Sequence, residues 1–128
     1  MTIFLACLGV VAILSASLWF EKLGISFNQI GIYRLGVIGA VFHTLVLFEL
    51  IVFSYFDLRK TVLGINLLFL VANIVLTLVT IHLGFPYYGY GYLAATALTF
   101  LVGLVVLVDR LSWLDYVAFV ANNPSVKR

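Results

Sequence analysis

The chain has 128 residues, of which 65% are apolar, 16% aromatic and only 9% charged, with seven basic and five acidic side chains and a formal net charge of +2. So few polar groups cannot cover a water-soluble domain, where about one-quarter of residues are charged, and the solvent this chain is built for is lipid. The same figures exclude a disordered tail, a nucleic-acid binder and a disulfide scaffold: Lys and Arg form no long run and there is one cysteine.

Charged residues fall in short clusters that divide the chain into four apolar runs, at residues 3–20, 35–56, 61–83 and 92–108. Continuous apolar character without alternation argues against a β-barrel, and lipid leaves no partner for an open sheet. The expected fold is therefore all-α, an integral membrane bundle of four transmembrane helices occupying residues 1–108. At 1.5 Å per residue the second and third runs reach about 33–35 Å, enough to cross a hydrocarbon core with some tilt. The fourth run is short and is expected to borrow Tyr90 or Gly91. Cys7, in the first run, reads as a packing residue.

After Val108 the chain turns mixed, and Trp113, Tyr116 and Val120 share one helical face. Residues 109–121 are predicted to form a short amphipathic helix at headgroup level, followed by a tail over 122–128. Lys22 and Arg34 lie on one side of the membrane, whereas Arg59, Lys60, Arg110, Lys127 and Arg128 lie on the other. The excess of positive charge predicts that both termini are cytoplasmic. The first apolar run starts at residue 3 with no basic region before it, unlike a normal signal peptide. Two expectations follow: a compact four-helix protein, or a chain that begins inside a longer one.

Glu49 is the one acid inside a predicted span, seven residues and about 10 Å before the cytoplasmic end of its run at Phe56. An ionisable group there costs on the order of 2.5–3.5 kcal/mol on insertion, so it needs a reason. It either lines a substrate or proton path, holding a proton or meeting a cation, or makes an interhelical hydrogen bond. His43, six residues earlier and about 120° around the helix, is a second lining candidate or a packing histidine. His82 reads as interfacial. In the third span Arg59, Asn66, Asn73 and Thr80 recur every seven residues and Thr77 joins the same stripe. Such a face is either a helix seam joined by amide hydrogen bonds or one wall of a hydrophilic path. Small residues Ala95, Thr99 and Gly103, and Gly36 with Ala40, let helices approach closely. Asp57, Arg59 and Lys60 are the charges of the cytoplasmic loop.

The turn Gly84-Phe-Pro-Tyr-Tyr-Gly-Tyr-Gly-Tyr92 holds Tyr87, Tyr88, Tyr90 and Tyr92. These form either an aromatic belt on a tight turn or a surface on which sugar rings stack. No metal-ligand spacing, phosphate loop or nucleophile elbow is present in the sequence, so the chain reads as a non-enzyme without a cofactor.

Three strings occur together in order: Ser54-Tyr-Phe-Asp-Leu-Arg-Lys60, Leu83-Gly-Phe-Pro-Tyr-Tyr-Gly-Tyr-Gly-Tyr92 and Phe119-Val-Ala-Asn-Asn-Pro-Ser-Val126. They resemble the C-terminal region of the PelG family, the inner-membrane transporters of Pel exopolysaccharide. The resemblance covers nearly the whole chain but only about the last third of the family's length. It implies a relative of the multidrug/oligosaccharidyl-lipid/polysaccharide exporters, in which these helices would be the last four of twelve spans. It also implies a polysaccharide chain as cargo, with a cytosolic glycosyltransferase and cyclic-di-GMP-responsive membrane subunits as partners in the bacterial inner membrane. The rival expectation is a complete four-helix protein, acting as a dimeric small-molecule transporter or as a non-transporting assembly subunit. The small multidrug transporters place their essential acid in the first span, and here that span has none.

Overall fold

The computed structural model describes residues 2–22, 24 and 27–116. Four helices make up its architecture: α1 Thr2–Lys22, α2 Phe27–Tyr55, α3 Arg59–Leu83 and α4 Tyr90–Tyr116, with a 3₁₀ turn at Phe85–Tyr87. There is no strand among the described residues. Helix α4 packs on both α2 and α3, and α1 lies along the outer side of α2.

The sequence explains why the helices meet where they do. On α2, Gly39, Val46, Glu49 and Phe53 are buried, in the three-and-four spacing of a helix seam. Opposite them α4 buries Ala95, Thr96, Thr99 and Gly103, a strip of small side chains that allows close approach. Val46, Phe53 and Ile65 form the centre of the core, where α2, α3 and α4 converge, with Phe100 and Val106 against them. Most large apolar side chains elsewhere point outward, including Ile51, Leu63, Ile74 and Val105. An exterior of this kind suits acyl chains and not water.

Three helices are long and apolar enough to cross a membrane among the described residues: Gln29–Tyr55, Arg59–Leu83 and Phe85–Trp113. In α1 the corresponding apolar stretch is shorter, Cys7–Ala16. Helix α2 begins eight residues before the predicted edge at Leu35, carrying Tyr33 and Arg34 as helical residues. Backbone hydrogen bonding continues as long as no Pro or Gly cluster interrupts it, so charge marks the membrane boundary and not the helix end. The same reason applies at the other terminus. Helix α4 runs through Val108 to Tyr116 without the break that a separate helix from residue 109 requires. Residues 117–121 of that expected helix and the tail 122–128 lie outside the described residues.

The connections on either side of α3 are tight. Between α2 and α3, Asp57 takes φ 55°, a conformation that Asp tolerates better than most residues, and Arg59 Nε donates to its Oδ1 at 2.7 Å. At the opposite end Gly84 (φ 102°) ends α3 and Gly89 (φ 96°) leads into α4. Both need the freedom of glycine, which is why the aromatic turn carries them.

Candidate functional site

The five residues expected on a path divide into two groups. Glu49 lies in the α2–α4 seam with only 2% of its surface exposed. Its carboxyl sits directly over Gly103, where an added Cβ would fall on Oε2. Neither Glu49 oxygen has a hydrogen-bond partner among the described residues. The interhelical hydrogen bond expected as one role for this acid is therefore not made within the described chain. A bare carboxylate in such a seat carries a desolvation cost that nothing among the described residues offsets.

His43 is half-buried about one and two-thirds turns away, its ring 5.0 Å from that of Phe69 on α3 and 6.3 Å from that of Tyr92 on α4. Its Nδ1 is buried and also lacks a partner among the described residues. Three helices thus meet around one imidazole. Phe69 stands three residues after Asn66 and four before Asn73, so His43 abuts the strip of α3 that adjoins the polar stripe.

The stripe itself meets no other helix through a hydrogen bond recorded among the described residues. Asn66 Nδ2 donates to Val62 O of its own helix at 2.9 Å. Thr77 Oγ1 donates to Asn73 Oδ1 at 3.3 Å, and Thr80 Oγ1 donates to Thr77 O at 2.9 Å. Asn66 and Thr77 are exposed and Asn73 is half-buried. Of the two expectations for this face, a seam closed by amides within this chain is not what the helices form. The stripe is a polar flank of α3 left open beside the bundle.

The four tyrosines also separate. Tyr87, Tyr88 and Tyr90 are exposed at the turn, with Tyr87 and Tyr90 rings 6.3 Å apart and Tyr88 5.4 Å from Phe85. Tyr92 instead turns into the bundle, and a Cβ added at Gly39 would come within 2.7 Å of its ring. Gly39 and Gly91 are contact residues that the small-residue motifs did not single out. Gly36 and Ala40, which they did, are not in this seam; Ala40 faces the groove between α1 and α2. The signal for Gly39 was its seven-residue spacing from Val46 and Phe53, which places it on the strip that also carries Glu49.

Beside the turn, an open cleft of about 400 Å³ is lined by Arg34, Leu35, Ile38, Pro86 and Tyr90. At the other end Asp57, Arg59 and Lys60 are exposed, Arg59 paired to Asp57 at 2.7 Å. No group of three or more His, Cys, Asp or Glu that could hold a metal occurs among the described residues. Cys7 is exposed on α1.

No curated protein and no solved structure matches the chain. One family model does, PelG, with the description "Putative exopolysaccharide Exporter (EPS-E)", over residues 2–119. That match takes in all four helices and the connections between them, and three of the helices are long and apolar enough to cross a membrane: the chain belongs to the PelG family of exopolysaccharide exporters.

Proposed function

We propose that this chain supplies the C-terminal transmembrane helices of an exopolysaccharide exporter, and that the polar flank of α3 is one wall of the path taken by the polymer. The observation that carries this reading is the open stripe of Asn66, Asn73 and Thr77, whose hydrogen bonds stay within α3. An amide flank at membrane depth is costly against acyl chains, so it faces water, cargo or further helices. Neutral amides and hydroxyls suit a sugar polymer, which offers hydroxyls along its length. His43 lies next to this wall. Glu49, behind it in the α2–α4 seam, holds a proton or meets a cation and so ties the packing of these helices to the transport cycle. All four helices cross the inner membrane with both termini cytoplasmic, and further spans complete the path. The cytosolic glycosyltransferase and cyclic-di-GMP-responsive subunits implied by the resemblance work beside it. No step in this role needs a catalytic residue or a cofactor.

The test is polymer secretion from cells expressing the exporter, normalised to its abundance in the membrane. Asn66→Leu combined with Asn73→Leu is expected to lower secretion at least severalfold, and Glu49→Gln to lower it independently. Normal secretion from both variants would leave the stripe as a packing face and Glu49 as a structural acid.

A further inference from the structure

On the flank of α3 opposite the Asn66 stripe, an open groove of about 370 Å³ runs between α3 and α4. Lys60 and Arg110 stand at its mouth, at the first turn of α3 and near the end of α4, and Gly64, Leu68, Val102 and Val106 line its depth. At 100° per residue, Gly64 lies about 160° around the helix from Asn66, so the groove and the polar wall do not share a face.

Two features make it more than a gap between helices. Both cations are exposed and neither is in an ion pair among the described residues, in contrast to Arg59, which is held by Asp57. A neighbouring cleft of about 390 Å³ shares Lys60 and Arg110 and is lined also by Asp57 and Arg59, which pair with each other and leave the charges of Lys60 and Arg110 in excess at this end of the bundle. The groove is also open where a side chain would otherwise close it, since a Cβ added at Gly64 would meet nothing within 4 Å.

We propose that this groove binds an anionic phospholipid, with its phosphate between Lys60 and Arg110 and an acyl chain along Gly64, Leu68, Val102 and Val106. Lys60 lies in the first turn of α3 and Arg110 two residues past the apolar run of α4 that closes at Val108, which puts both at the level of the headgroup layer, and the apolar floor descends from them. From Lys60 to Leu68 is about 12 Å along the helix, enough for the upper part of an acyl chain. Paired basic residues between membrane helices attract anionic headgroups, and below Thr61 the lining is apolar, which gives a sugar polymer or a peptide backbone little to hydrogen-bond. This site is independent of the proposed polymer path.

The experiment reconstitutes the full chain in bilayers and measures its association with spin-labelled phosphatidylglycerol against spin-labelled phosphatidylcholine. Wild type is expected to prefer phosphatidylglycerol by a factor of about ten to thirty, the upper figure being the scale set by two cations near the surface. Lys60→Gln with Arg110→Gln is expected to remove the preference. Gly64→Leu, which fills the groove and keeps both charges, is expected to reduce it, whereas Lys60→Arg retains it and controls for folding. Equal association of both lipids with wild type would overturn the proposal. So would a preference untouched by Gly64→Leu, which would mean diffuse attraction to surface charge, or capture of an acidic peptide with no lipid preference.

Discussion

At the residue scale the most exacting contact is Glu49 over Gly103. Any side chain at 103 collides with the carboxyl, so Gly103→Ala is expected to destabilise the bundle by about 1–3 kcal/mol, the usual cost of overpacking. Shortening the acid should relieve it. A double-mutant cycle with Glu49→Ala, followed by thermal unfolding in detergent, is expected to show coupling between the two positions and not additivity. The glycines of α4 and α3 offer a paired comparison. A Cβ at Gly91 would stand 2.8 Å from Leu76 O, a backbone atom that can move only with its helix. Gly91→Ala is therefore expected to lower the unfolding temperature, and Gly64→Ala, facing open space, to leave it unchanged or raise it slightly as a better helix former.

At the scale of the helices, much of the architecture is legible in the spacing of residues. The apolar runs locate α3 to within a few residues, because Asp57 and Gly84 punctuate both of its ends. The seven-residue repeat of Asn66 and Asn73 also reads directly as one face. What spacing does not disclose is which face a neighbour covers. Glu49 and the asparagines look alike in sequence, as polar groups in apolar runs, yet α4 covers the acid and leaves Asn66 exposed. That outcome depends on the small side chains of a helix some fifty residues later, and only the packing reveals it. The extents of α2 and α4 were likewise hidden, since helical hydrogen bonding passes through Arg34 and Asp109 without regard to their charge. The open flank has an expected consequence. Replacing Thr77 by Val removes the hydroxyl that bonds Asn73 Oδ1, and should reduce secretion less than Asn73→Leu, because the amide itself survives.

At the scale of the whole molecule, the two flanks of α3 differ in chemistry. One carries Asn66, Asn73 and Thr77, and the other the groove headed by Lys60 and Arg110. Under the proposed function the first flank faces water and the second lipid, which is the position of a wall. Water access along α3 measures this most directly. In a Cys7→Ser background, single cysteines at Asn66, Asn73 and Ile74 are treated with a membrane-impermeant thiol reagent in the intact exporter. Ile74 is the control, one residue and about 100° from Asn73 and half-exposed on the apolar side. The expected result is labelling of Asn66→Cys and Asn73→Cys, slowed while polymer is being secreted, with Ile74→Cys unlabelled. Protection of both stripe positions to the level of Ile74 would contradict the account.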